Sequence, residues 1–234
     1  MAWSVDNIFE FTKFITNKNL AGGISAKDLF YAWNPEQKSY MQDLLGRFQN
    51  RNNGKEGVNT GLIQNETIMQ KLSPFILSAS IPIENITTGT PIATLPEDFV
   101  YKLSARINNE VVYQVNPSQI FSVVKSVIDP PSRTDQTYYY TQYENYYKIL
   151  PQNLLLVDSF NLTLDYVRQP NDIVWGYIIA PNGQQIYNSG TSVQPEWDDL
   201  SIIEITKRTL KALGVRFKDA DFVNFGNSNI ATGD

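Results

Sequence analysis

Neither cysteine nor histidine occurs anywhere in the 234 residues. Without thiols there is no disulfide framework and no thiolate nucleophile or ligand. Without imidazole the chain lacks the commonest general base and the commonest metal ligand. Cysteine-protease, Ser-His-Asp and histidine-ligated zinc-hydrolase chemistries are excluded. No apolar run approaches the length that spans a bilayer. The opening MAWSVDNIFEFTKF carries Asp6 and Glu10 where a secretory leader would have a basic start and an apolar core. The sequons at Asn65, Asn85 and Asn161 then read as chance features of an Asn-rich chain. A basic excess is missing too. Formal net charge is −5 and Lys and Arg form no run, whereas proteins that grip phosphates by charge are usually basic.

What is present points to structure. A hydrophobic fraction of 42% and a charged fraction of 18% suit a soluble globular chain, and 13 Tyr with 12 Phe favour sheets over helical repeats. The length fits one large domain or two small ones.

The first 74 residues read as helical. Ser4 can cap a helix over 4–17, with Ile8, Phe11, Phe14 and Ile15 as its apolar stripe. Ser25 caps a second, with Asp28 in the capping-box position. Pro35 should divide that helix, with Asn34 capping a fresh start and Tyr40, Met41, Leu44, Leu45 and Phe48 forming the next core face. A polar loop over 50–61 precedes a short helix over 64–72.

From Phe75 the period changes to that of strands: 75–83, 99–107, 111–115, 138–147, 154–157 and 161–168. Residues 117–127 fit helix or strand, helix being favoured. The stretch Asn161–Trp175 alternates cleanly, with Leu162, Leu164, Tyr166 and Arg168 on one side, before Pro170 ends it. Ile178–Tyr187 contains a hairpin signal, Asn182-Gly183, which can supply positive φ angles. Residues 196–213 form the strongest helix, acidic at its start, basic toward its end and closed by Gly214. Its apolar residues Ile202, Ile203, Ile205, Leu210 and Leu213 span a wide arc, which suggests burial on two sides.

The expected architecture is α+β. Helices fill 1–74, an antiparallel meander fills 75–194, a helix at 195–218 packs back onto the same domain, and 219–234 is a flexible tail.

Chemistry is sparse in this pattern. The carboxylate pairs Glu97-Asp98 and Asp198-Asp199 could serve a glycosidase, which needs only two acids, but both read as helix-start charges. Gly22-Gly23 lacks the lysine of a phosphate-binding loop. The run YYYTQYENYY could stack on sugars, yet alternation splits it between two faces as ordinary cross-strand partners. No residues have metal-ligand spacing. The expectation is no enzyme, no metal and no cofactor.

Several stretches together resemble the head–tail connector, or adaptor, ring proteins of tailed bacteriophages. They are IFEFTKFITNKNLAGGISAKDLFYAWNPEQ, ATLPEDFVYKL, YYKILP, LDYVRQPNDIVW and the helix from PEWDD to LKALG. The likeness is greatest to neck ring proteins of crAss-like phages and more distant to the tail-tubular adaptors of podoviruses. Its most telling parts are Asn17, Lys18, Gly22, Gly23, Ser25 and Leu29-Phe30, and the segment from Tyr166 to Trp175. The resemblance implies a homo-oligomeric ring of twelve copies in the virion neck, assembled in the bacterial host cytoplasm. Its implied partners are a portal protein and adjacent neck or tail rings, with DNA passing through the lumen without sequence-specific binding and no membrane. The expected subunit contacts are Arg168, Asp172 and Trp175 around the Pro turn, Ile202 and Ile205 on the wide helix face, and Phe222 and Phe225 in the tail. A carbohydrate- or receptor-binding module of a phage tail, using the Tyr-rich sheet, is the alternative.

Overall fold

The computed structural model describes residues 3–18, 24–52, 66–86, 90–152 and 160–214, with side chains for all of these except 17, 18, 48–52, 85 and 86. The chain is α+β and divides into two compact units. Phe75–Gln169 forms one, and Met1–Pro74 with Pro170–Asp234 forms the other.

The first unit is a closed barrel. Its strands are β1 (Ile76–Ile86), β2 (Thr90–Thr94), β3 (Phe99–Ile107), β4 (Glu110–Gln114), β5 (Tyr138–Gln142), β6 (Tyr146–Leu150) and β7 (Asn161–Arg168). They close in the order β1-β2-β6-β5-β4-β3-β7. The expected meander is therefore replaced: β7 pairs with β1 and β3 rather than with β6. One pair, β4 with β5, is parallel. A parallel pair needs a crossover of about a dozen residues or more, and the connection between Gln114 and Tyr138 supplies it. Within that connection lie a 3₁₀ turn, Pro117–Gln119, and a short helix α4, Ile120–Val124, so the ambiguous segment is helical. Between β3 and β4 a two-residue turn puts Asn108 and Asn109 at φ 51° and 68°, the two positive angles that a tight hairpin of this hand requires. Alternation in β7 holds. Leu162 and Leu164 are fully buried and Tyr166 nearly so, in a core with Ile81, Ile107, Tyr138, Tyr140, Tyr147 and Ile149.

The second unit carries α1 (Val5–Lys18), α2 (Ala26–Asn52), α3 (66–72), a hairpin of β8 (Tyr177–Ile179) with β9 (Gln185–Tyr187), and α5 (Asp199–Ala212). The hairpin is antiparallel but forms a two-stranded sheet of its own, so the barrel's strands end with β7 and the hairpin belongs to the helical unit. Both N-terminal caps form as the sequence predicts. Ser4 Oγ accepts from Asn7 N–H at 3.1 Å, Ser25 Oγ accepts from Asp28 N–H at 3.2 Å, and the Ser25 hydroxyl donates to Asp28 Oδ2 at 2.6 Å.

Pro35 does not divide α2. The helix runs through it, and Asn34, expected as a cap, points its amide at another segment instead. Tertiary hydrogen bonds here outweigh a local breaker. Of the expected apolar positions, Ile8, Phe11, Ile15, Tyr40, Met41, Leu44 and Leu45 are buried, while Phe14 is 48% exposed. The Phe48 side chain, the strand expected at 154–157, Gly22-Gly23 and the tail with Phe222 and Phe225 lie outside the described residues.

Helix α5 starts later than expected. Asp198 is its cap, its carboxylate accepting from Ser201 N–H at 3.4 Å, and only Asp199 lies in the first turn. Gly214 follows the helix at φ 77°. The buried face carries Ser201, Ile202, Ile205, Thr206, Thr209 and Leu210, whereas Leu213 is 37% exposed. The hydroxyls have partners. Tyr40 Oη lies 3.2 Å from Ser201 Oγ, and the Trp33 indole donates to Thr206 Oγ1 at 3.3 Å. Thr206 and Thr209 also donate to the carbonyls one turn back, those of Ile202 and Ile205, as threonines in helices commonly do. The face that read as wide is thus filled by α2 and α1 of the same chain.

Candidate functional site

After Pro170 the backbone is fixed by side chains. Asn171 N–H donates to Glu196 Oε2 at 3.1 Å, and the Gln37 amide donates to Asn171 O at 3.0 Å. Asp172 pairs with Lys38 at 2.8 Å. Ile173, only 1% exposed, is held at both backbone groups by Asn34: its N–H donates to Oδ1 at 2.9 Å and its carbonyl accepts from Nδ2 at 3.2 Å. One asparagine therefore does the work of a strand neighbour, which explains why residue 34 is not a cap.

Trp175 anchors the start of the hairpin. Its indole donates to Asp6 Oδ1 at 2.9 Å, and its ring lies 5.1 Å from Phe9, 5.8 Å from Tyr177 and 6.1 Å from Tyr187. Gly176 threads a crowded point. A Cβ there would fall on Thr191 Oγ1 and within 2.6 Å of the Thr191 carbonyl carbon. Its N–H donates to Ser192 Oγ and its carbonyl accepts from Asn188 N–H, both at 2.9 Å. The hairpin turn is closed by Gly183 N–H to Ala180 O at 2.8 Å. Only Gly183 (φ 82°) takes a positive angle. Asn182, expected to share it, accepts from Gln184 N–H through Oδ1 instead.

This segment builds a surface. Residues 173–195 contain no charged side chain, yet Val174, Tyr177, Ile178, Ile179 and Ile186 are all between 46% and 69% exposed. Uncharged two-stranded ribbons with open edges are usually guarded by Lys, Pro or a cover. Beside the ribbon, α2 and the 173–177 segment enclose a recess of about 490 Å³, lined by Phe30, Tyr31, Asn34, Trp175 and Tyr177, with Lys27 as its one charged lining residue. Tyr31 stands at 84% exposure.

The barrel unit has its own uncovered apolar surface, along and after α4. Phe121 and Val124 are 68% and 50% exposed, and Val127 and Ile128 reach 96% and 95%. Apolar side chains gathered in this way on a folded surface commonly mark contact sites.

Half of the tyrosine run is core. Tyr138, Tyr140 and Tyr147 are buried, with the last two rings 4.4 Å apart and Lys102 Nζ 4.9 Å from the centre of the Tyr140 ring. Burial drives the Tyr140 and Tyr147 hydroxyls well above their ordinary range and holds the Lys102 amine below its own. Glu97-Asp98 sits in the β2–β3 turn and not at a helix start, and Asp98 accepts from Tyr166 Oη at 3.0 Å. On the outer face of the barrel Asp165 accepts from Ser104 Oγ at 2.5 Å and from Arg106 Nη2 at 2.9 Å. Ser104, then Ser78, and also Arg106 hold its carboxyl below the usual range against the opposing effect of burial. Among the described residues no three His, Cys, Asp or Glu side chains gather to hold a metal, and no helix is long and apolar enough to cross a membrane.

The residues expected at contacts fall into three groups. Trp175 and Asp172 lie on the segment that builds the recess and ribbon. Arg168 ends β7, donates to Gln169 O at 3.1 Å and stacks 5.6 Å from the Phe75 ring. Ile202 and Ile205 are 1% and 0% exposed inside their own unit, so they have no surface to offer a neighbour. The Val127-Ile128 projection and the Tyr31 rim were not foreseen. The projection had a sequence signal, two branched aliphatics directly before Asp129-Pro130-Pro131. No family model matches the chain, and no curated protein does.

Proposed function

We propose that the chain is a structural subunit of a phage virion neck, repeated in a ring that joins portal and capsid to the tail and continues the DNA channel. The observation that carries this reading is that each unit leaves a separate apolar surface uncovered: the neutral ribbon with its aromatic recess in one, the α4–Ile128 segment in the other. A subunit that meets identical neighbours on two sides needs two such surfaces. The resemblance to connector rings adds the setting, with twelve copies, a portal on one side and a further ring on the other. Net charge of −5 suits a channel protein, since a lumen that does not attract phosphates lets DNA slide.

The carbohydrate-binding alternative has less to stand on, because Tyr138, Tyr140 and Tyr147 are buried and cannot stack on a sugar. The deciding experiment is electron microscopy of the full chain mixed with its portal protein. Closed rings seated on the portal are expected. A chain that neither self-associates nor co-migrates with portal would sink the proposal.

A further inference from the structure

We propose that Val127–Pro131 of one copy seats in the aromatic recess of the next, a head-to-tail contact between identical chains. The inference rests on the ring reading above and names the two surfaces that build the ring.

The projection is preformed. Val127 and Ile128, at 96% and 95% exposure, are as open to water as side chains in an extended peptide, an unusual setting for branched aliphatics. The backbone beneath them is nevertheless held. Ser126 Oγ accepts from the N–H groups of Ile128 and Asp129 at 3.3 and 3.2 Å, and Tyr139 Oη donates to Asp129 Oδ2 at 2.9 Å. Pro130 and Pro131 then fix the chain in extended geometry. A segment already ordered loses little freedom when it docks.

The recess is complementary in size, surface and charge. Its volume of about 490 Å³ falls in the range of roughly 300–1,000 Å³ that accommodates a few side chains. Tyr31, Trp175 and Tyr177 offer the aromatic faces that extended, proline-containing segments seek. Lys27 is the one charged residue lining the recess, and Asp129 is the one charged residue between Ser126 and Ser132. Neither makes an ion pair with any described residue. A single cation facing a single anion across an otherwise apolar contact fixes its register. A projection of one copy seated in a recess of the next is a contact between two unlike surfaces, a heterologous contact, which gives a ring when the rotation closes.

The test uses two variants of the full chain in sedimentation velocity. Ile128→Asp removes the projection and Tyr31→Asp disrupts the recess rim; both positions are exposed, so circular dichroism should be unchanged. Wild type is expected to self-associate, and each variant alone is expected to lose the oligomer, with self-association weakened at least about a hundredfold, as for a central contact residue. Mixing the two variants should restore one intact interface per pair and give a 1:1 dimer that grows no further. Rings that persist in both variants would overturn this contact while leaving the ring reading standing. Variants that stay apart when mixed would also overturn it, pointing to ribbon-to-ribbon pairing or an unrelated partner. A wild type that never associates, with or without portal, would remove both proposals together.

Discussion

Asn34 holds the N–H and C=O of a buried residue from a distance of 139 positions along the chain. Its replacement therefore leaves two buried backbone groups unpaired, each costing about 1–3 kcal/mol. Asn34→Ala should destabilise the protein by about 2–4 kcal/mol on that basis, read as a lower urea midpoint. Asn34→Asp should be no better, because it keeps the acceptor but turns a carboxylate oxygen toward the Ile173 carbonyl. Asp165 makes a different prediction. Ser104, Ser78 and Arg106 lower its folded-state pKa below the unfolded value, so its contribution is fully present above the unfolded pKa of about 3.9 and is lost as pH falls through the folded value. Asp165→Asn should lower stability at pH 7, and the gap to wild type should narrow as the pH falls below about 4. A gap that stays constant down to strongly acidic pH would show that the carboxylate charge plays no part.

At the scale of elements, the features legible in the sequence were local. Both Ser caps, the alternation of β7, the hairpin near Asn182 and the closing Gly214 depend on neighbours within four residues, and they stand where the pattern put them. Pro35 shows the limit. Its local meaning is a break, but Asn34 and Gln37 bond to Ile173 and Asn171 and hold the helix through it. The α5 face shows another limit. Ser201 and Thr206 look polar in a helical pattern, and only the arrival of Tyr40 and Trp33 makes them core. The two hairpin glycines separate conformational from steric need. Gly183 has open space around it and φ 82°, so Gly183→Ala should cost about 1 kcal/mol through backbone preference alone. Gly176 has no such room, and a methyl there must displace the Thr191 backbone. Hydrogen exchange should show Gly183→Ala weakening protection only at the Ala180–Gln184 turn. Gly176→Ala should strip protection from Asn188 and Val193 as well and shift Trp175 fluorescence.

For the molecule as a whole, the order in which strands pair could not be read, because it is decided by contacts far apart in sequence. Alternation identified β7 and a single strand over 138–147, which the structure instead folds into two, β5 and β6, paired antiparallel. It gave no reason for that turn, for β7 to join β1, or for β4 and β5 to run parallel. Closure has a consequence for the whole chain. Residues 75–169 enter through β1 and leave through β7, and these strands are antiparallel neighbours with Ile76 opposite Val167. Partners in such a ladder lie about 5 Å apart, so the points where the chain enters and leaves the barrel are adjacent. The barrel has a continuous sequence, its own buried core and no open sheet edge, which is the condition for folding alone. Residues 75–169 expressed as a separate chain should therefore unfold cooperatively, and replacing them by a short Gly/Ser linker between Pro74 and Pro170 should leave α1, α2 and α5 packed. Near-ultraviolet dichroism from Trp33, Trp175 and Trp197, which all lie in the helical unit, reports on the second case. A barrel that folds while that signal is lost would mean that the helical unit needs the barrel to form, and the insertion view would fall.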